Sequence, residues 1–305
     1  YPTGPGAARR RRRRRMLART SMDILITGLL LGATYALLAM GLTLQYGVAR
    51  IMNLANGEML VAGAFGAFWV ATAQTAHPML SLLVVVPAAF ALNWAVYRVL
   101  LVPLVRRASG RGQLEVDSIL ATFGMSFAFV GGMRWAFGGE YFNYSFLAEP
   151  FHILGSPFGL NRVVAAVVSA LVCAALYAGL VATRTGMALR AVAVDPQAAG
   201  LVAIDVPRMS ALAFALGGGV TAAAGVLLST FLTMDASIGV LFTMKALIIV
   251  IMGGVGDIRG AVVAALILGL AETAGASWVD PGLTLAAAYG LFVLVLLFRP
   301  GARDR

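Results

Sequence analysis

Apolar runs of spanning length, free of charge but for Arg98 and Arg134, dominate the chain. A bilayer core is crossed by about 20 predominantly apolar residues in helical form. Such runs occupy 24–46, 59–76 (beginning near Ile51), 79–102, 118–137, 163–183, 209–232 and 283–298. Residues 242–276 are apolar as well, but Gly253-Gly254-Val255-Gly256-Asp257-Ile258-Arg259-Gly260 interrupts them. That interruption predicts two short helices around a glycine-rich turn, a short-helix hairpin near the C-terminus. The fold expected is an all-α polytopic membrane protein with about nine hydrophobic crossings, in the range of about 8–10.

Composition agrees. Of 305 residues, 60% are hydrophobic and 12% charged, where soluble domains carry roughly 25% charged residues. So few charges cannot cover the surface of a water-soluble globule. The 35 glycines suit helices that approach one another closely. Rare residue types exclude several chemistries. His77, His152 and Cys173 are the only histidines and cysteine, too few for a zinc cluster or an internal disulfide. Cys173 reads as a packed, inert thiol, and His77, beside Pro78, as a solvated loop residue. Lys245 is the sole lysine and lies between Met244 and Ala246. No phosphate-binding Gly-Lys-Ser/Thr loop exists, so any ATP is hydrolysed on another chain. No catalytic residues, metal ligands or cofactor are expected on this one.

The net charge of +10 belongs to one end. Residues 1–22 hold eight arginines, the run 9–15 plus Arg19, and no acid; removing those eight from +10 leaves +2 for residues 23–305. Nothing in the body implies a nucleic-acid partner. The basic segment is expected to be a disordered tail able to meet anionic lipid, or to precede a true start at Met16 or Met22. The rest orients itself by the excess of arginine in cytoplasmic loops. With 103–115, 184–208, 256–260 and the tail 299–305 inside, twelve arginines from Arg50 to Arg305 lie on the cytoplasmic side, and only Arg134 and Arg162 outside. Nine crossings would then put residue 23 outside, in conflict with an inward preference of the arginine run.

The loop 184–208 is the most informative. Asp195 suits a helix N-cap and Pro196 a first helical position, with Ala198–Ala203 continuing for a turn or two. A short helix of small side chains fits a groove on a partner and transmits a rigid push, although an amphipathic connector would have the same pattern.

Here a resemblance enters. R-A-x-A-x-D-P-x-A-A-x-L-x-x-I at 190–204 resembles the coupling loop of ABC importer permeases, in the version of branched-chain amino acid permeases. G-A-T-Y-A-L-L-A-M-G-L-T-L-Q-Y-G-V at 32–48, I-M-N-L-A-N-G-E at 51–58, K-A-L-I-I-V-I-M-G-G-V-G-D-I-R-G-A at 245–261 and G-L-A-E at 269–272 are similar to the same family. These blocks lie in order over 24–298, and the length resembles the smaller of the two paired permeases. There are departures. Gln197 stands where the loop has Glu, Ala203 where Gly is typical, and Asn56 where His is expected. The resemblance assigns Asp195, Pro196, Gln197, Ala198, Ala199 and Ala203 to coupling with an ATPase.

Three ionisable residues fall inside apolar runs, where an unpaired charge costs about 3 kcal/mol or more. Glu58, with Asn53 and Asn56, is a candidate for a pathway or gate, the alternative being a lock between helices. On a regular helix Glu58 points about 200° away from Asn56, so the three converge only if Gly57 breaks the helix. Lys245 and Glu272 are a candidate buried ion pair across the hairpin. The aromatic loop 141–146 reads as an interfacial belt or a surface for a binding protein.

The function expected is the membrane-spanning permease subunit of an ATP-driven importer for branched-chain or other hydrophobic amino acids, in a bacterial inner membrane. What the resemblance implies about partners is a second permease, two cytoplasmic ATPases that hold ATP and Mg, and an extracytoplasmic substrate-binding protein. Urea or short amides are alternative substrates. A secondary transporter is the rival of another class, but it has only Glu58 and Glu272 for an ion site.

Overall fold

The computed structural model describes residues 5–73, 78–107, 110–144, 146–147, 149–153, 156–278 and 284–298. Helices make up nearly all of it. α1 (Pro5–Ala49) and α2 (Asn56–Ala73) are followed by a 3-10 turn at Pro78–Leu80, then α3 (Ser81–Val96), a π-helical turn at Tyr97–Leu101 and α4 (Val102–Arg107). α5 (Arg111–Phe137) precedes a two-stranded hairpin of β1 (Pro150–Ile153) and β2 (Ser156–Gly159). Next come α6 (Leu160–Ala182), α7 (Arg184–Val194), α8 (Pro196–Leu201) and α9 (Val206–Ser229). α10 (Gly239–Gly253), α11 (Ile258–Trp278) and α12 (Thr284–Phe298) complete the chain.

Six helical stretches among the described residues are long and apolar enough to cross a membrane: Ser21–Ala49, Pro78–Arg107, Gly112–Phe137, Leu160–Ala182, Val206–Ser229 and Ile258–Ser277. This establishes a multi-pass helical membrane protein. α2, with Asn56 and Glu58 in its first turn, is not among the six, nor are the 15-residue α10 and α12. One expectation fails in detail. α11 has 21 residues and spanning length, so 242–276 is not a pair of short helices. A single acid, Glu272, is too little to end a helix that is otherwise mostly apolar. The glycine-rich turn does form, with Gly254 and Gly256 at φ 101 and 80, the left-handed region open to glycine. The basic segment also differs from expectation. α1 is continuous from Pro5, and arginine is a good helix former once a helix exists.

α9 is the axis of the bundle. In its most apolar window 89% of residues are buried, against 17% for α5. α1, α2 and α3 pack along it. Small residues make this approach feasible. A Cβ on Gly225 would collide with the Leu60 carbonyl of α2, and one on Gly63 with the backbone of Ala222. Lipid tails are as apolar as leucine, so association in the membrane depends on such close van der Waals contact. α1 meets α11 in the same way, with Gly28 and Gly32 facing Gly269. α3, α5 and α6 form an outer layer, presenting Leu83, Val84, Leu120, Phe123, Phe127, Val167 and Leu171 outward.

The outer loop packs onto the bundle. Phe142 and Met234 exchange backbone hydrogen bonds of 2.7 and 3.0 Å. The Phe142 ring packs on Phe65 and Phe68 at centroid distances of 4.8 and 4.7 Å, and the Tyr144 hydroxyl pairs with Ser229 Oγ at 2.8 Å. Phe146 is buried, while Tyr141 is exposed. Phe142 and Tyr144 therefore pack over the C-terminal ends of α2 and α9. The sequence did not suggest the β-hairpin, whose register sets Pro150 opposite Gly159 and Ile153 opposite Ser156. Ser145 and His77 lie outside the described residues.

The packing of α9 generates a stability prediction. Gly225→Val drives a side chain into the α2 backbone and should destabilise the protein by about 1–3 kcal/mol, as overpacking does. Gly124→Val, where a Cβ meets nothing within 4 Å, is the control. Thermal unfolding in detergent checks this; equal melting temperatures for the two variants would remove close approach as the basis of the core.

Candidate functional site

The site starts where α1 stops. Arg50 adopts φ 57, a left-handed conformation that a non-glycine residue reaches at a cost. Its amide still donates to the Tyr46 carbonyl at 3.1 Å. Residues 51–53 then run without regular structure, a turn at 54–55 follows, and α2 begins at Asn56. The break lies deep in the bundle, with Asn53, Asn56 and Glu58 all at most 1% exposed. Convergence of the three required a break at Gly57, but the break falls earlier, and Gly57 belongs to the first turn of α2. Glycine is needed there because a Cβ would strike the Gly239 carbonyl of α10.

Side chains from two other helices take over backbone groups of the break. Leu54 N donates to Thr122 Oγ1 of α5 at 3.1 Å, and the Thr122 hydroxyl reaches the Met52 carbonyl at 3.1 Å. Gly57 N donates to Thr243 Oγ1 of α10 at 2.8 Å, and Thr243 Oγ1 in turn donates to the Leu54 carbonyl at 3.2 Å. Asn53 accepts from Ala55 N at 3.0 Å and donates to Gln45 at 3.0 Å, while Gln45 donates to the Phe214 carbonyl of α9 at 3.1 Å.

Asn53, Asn56 and Glu58 do not converge on one another. Each turns to a different helix. Asn56 Oδ1 accepts from Thr221 of α9 at 3.0 Å, and its Nδ2 is buried with no partner among the described residues. Glu58 Oε1 accepts from Ser126 of α5 at 3.0 Å. A Cβ on Gly239 would collide with the Glu58 carboxylate, which therefore lies over the first turn of α10. Both α2 and α10 thus direct helix N-termini toward it, and such ends favour negative charge. The hydroxyl residues at 122, 126, 221 and 243 were missed in the sequence. A signal existed in α5, where Ser118, Thr122 and Ser126 recur every four residues, on one helical face.

The loop 184–208 is more ordered than its sequence suggests. α7 precedes α8, capped by Thr183, whose Oγ1 accepts from Gly186 N at 3.0 Å. Asp195 caps α8, its carboxylate accepting from Gln197 N at 2.9 Å and Ala198 N at 3.2 Å, and Pro196 opens the helix. α8 ends with two reciprocal bonds, Ala203 N to the Gly200 carbonyl at 3.3 Å and Ile204 N to the Ala199 carbonyl at 3.2 Å. This termination requires a left-handed residue, and Ala203 supplies it at φ 61. That explains why glycine is typical there. Ala199 does not face a partner. It is buried with Leu44, Val48, Leu189 and Val192. Gln197 and Ala198 are exposed, as are Val194, Leu201 and Val202 beside them.

Lys245 and Glu272 meet across α10 and α11. Lys245 Nζ lies 2.8 Å from Glu272 Oε1, and the Tyr35 hydroxyl donates to Glu272 Oε2 at 2.8 Å. Lys245 also donates to the Tyr35 oxygen at 2.8 Å and lies 4.9 Å from its ring centroid. The triad pins three helices together. Breaking such a pair by removing one partner costs about 3–5 kcal/mol, because the other charge is left buried.

A helical bundle with a polar break at its centre and a capped helical pair in its largest basic loop defines a membrane transport subunit. Residues 24–298 match the family described as branched-chain amino acid transport system / permease component, and the chain belongs to that family. It is 29% identical over 291 residues to the LivH permease protein of a high-affinity branched-chain amino acid transport system in Salmonella typhimurium, covering 90% of this chain and 92% of that one. To the BraD permease protein of such a system in Pseudomonas aeruginosa it is 31% identical over 292 residues, 90% and 93% of the two chains. A probable LivH of Methanocaldococcus jannaschii is 28% identical over 262 residues, 85% and 80%. No solved structure matches.

The left-handed cap yields a local prediction. Ala203→Gly relieves about 1 kcal/mol of backbone strain. The amides of Ala203 and Ile204 should then exchange about fivefold more slowly with solvent. Faster exchange at both would show that the cap is not strained.

Proposed function

We propose that this chain is the membrane-spanning permease subunit of an ATP-driven importer for branched-chain amino acids, and that α8 docks on a cytoplasmic ATPase. The observation that carries the docking is the exposed apolar tip of the loop. Leu201 is 89% exposed at the end of a helix whose other face is anchored by Ala199. A short helix fixed on one side and apolar on the other is built to enter a groove and pass on a push.

The membership of the family and the names of the relatives support the substrate class. The partners follow from the same reading: a second permease, two ATPases that hold ATP and Mg, and a binding protein on the opposite side. α2, α10 and α12 added to the six long stretches give nine crossings of an inner membrane, with α7 and α8 inside. The glycine turn between α10 and α11 makes the hairpin near the C-terminus.

In this reading the break between α1 and α2 lies on the path. It offers a carboxylate at Glu58 on the α5 and α10 side and, separately, a buried amide donor at Asn56 on the α9 side. Access alternates as the helices around the break shift against one another.

Two outcomes test the reading. Leu201→Arg buries a charge in the docking groove and should abolish stimulated ATP hydrolysis and uptake in the reconstituted complex, with the permease still folded. Full activity would sink the docking assignment. Glu58→Gln keeps size and most hydrogen bonding but removes charge. Uptake of labelled leucine should fall at least about tenfold, equivalent to about 1.4 kcal/mol, with normal assembly. Unaltered uptake would return Glu58 to a lock between α2, α5 and α10.

A further inference from the structure

Arg50 belongs to two features at once. Its backbone ends α1 and opens the break. Its guanidinium Nη2 donates to the carbonyl of Ala193 at 2.6 Å. Ala193 is in the last turn of α7, two residues before the Asp195 cap of α8. The last carbonyls of a helix have no partner within it, and that end favours a cation. Arg50 therefore caps α7 from across the seam. The rest of the seam is apolar, Leu44 and Val48 against Leu189, Val192 and Ala199.

We propose that Arg50 is the positioning residue through which movement of α7 and α8 reaches the polar break. The proposal rests on the reading of α8 as the docking helix. Apolar contacts have no direction and let surfaces slide, whereas the Arg50–Ala193 bond is directional and charge-assisted. The body of α1 is held along α9 and α11 by glycine contacts and resists displacement. Residues 51–55 have no helical ladder and rely on Thr122 and Thr243. They are the compliant stretch, and Arg50 is its first fixed point. Displacing Ala193 turns the left-handed residue and shifts Asn53 and the start of α2 relative to α5 and α10.

The test uses the full complex in liposomes with its binding protein, labelled leucine as the probe, and ATP consumed per leucine as the readout. Arg50→Asn removes the guanidinium but keeps a residue that tolerates the left-handed conformation. Stimulated hydrolysis should persist while uptake falls, raising the ratio by about tenfold, within the range of ordinary coupling effects. Arg50→Lys, which restores a cation to the Ala193 carbonyl, should recover most of the ratio. An unchanged ratio in Arg50→Asn overturns the proposal, whether both activities stay or fall together, since a helix cap of purely structural value changes assembly and leaves stoichiometry alone. Leu201→Arg keeps the two ideas apart. If that variant still assembles and hydrolyses normally, the docking reading fails, whatever the ratio in Arg50→Asn.

Discussion

A peptide group without a hydrogen-bond partner costs several kcal/mol inside a bilayer, and this constraint falls hardest on residues 51–55. A continuous helix would satisfy them internally. Because Arg50 turns left-handed, Met52, Leu54 and Gly57 must find partners elsewhere, and Thr122 and Thr243 provide them. The Thr243 hydroxyl both accepts and donates, so one small side chain serves two backbone groups. The Thr122 hydroxyl accepts from Leu54 N and has its nearest acceptor in the Ser118 carbonyl of its own helix. The positions of α5 and α10 relative to the break are thereby fixed by hydrogen bonds that have no substitute in lipid. α5 especially depends on them, since it touches chiefly α2 and α4 and otherwise faces outward.

The second condition is proximity. A threonine reaches across two helices only if their backbones nearly touch, and the glycines arrange this. Gly57 meets Gly239, Gly63 meets Ala222, and Gly225 meets Leu60. These contacts surround the break on the α9 and α10 sides. Farther along α10, Lys245, Tyr35 and Glu272 add a charged clamp to α1 and α11. The result is a rigid axis of α1, α9 and α11 beside a stretch held only by side chains. An importer needs that contrast, because a uniformly packed bundle has no preferred place to move.

Much of this was legible in the sequence, and the failures have physical causes. Spanning helices are long, strongly apolar and nearly free of charge, so their existence followed from the runs. The caps at Asp195 and Pro196 are local chemistry and were readable too. A break at Gly57 was the condition for the polar residues to converge, yet this glycine serves close approach and an arginine takes the strained conformation. Nothing local marks Arg50, whose left-handed φ accompanies contacts with α7 far along the chain. Ala199 was assigned to a partner because a small residue suits docking. The same smallness suits burial, and only the fold decides which. In the aromatic loop, likewise, Phe142 and Tyr144 suit an interface or a packed plug equally well by sequence, and their packing on α2 and α9 comes only from the fold.

The arrangement also explains why the departures at Gln197, Ala203 and Asn56 are tolerable. Gln197 uses its backbone amide for the Asp195 cap, which any residue but proline provides, and the residue is exposed. Ala203 pays about 1 kcal/mol for its conformation, small beside the two backbone bonds that close α8. Asn56 keeps an acceptor for Thr221. What it leaves over is a buried amide donor on the α9 side of the break, turned away from Glu58, which faces α5 and α10. A neutral donor left in this position adds no further charge to the core, and in a membrane each extra charge is costly.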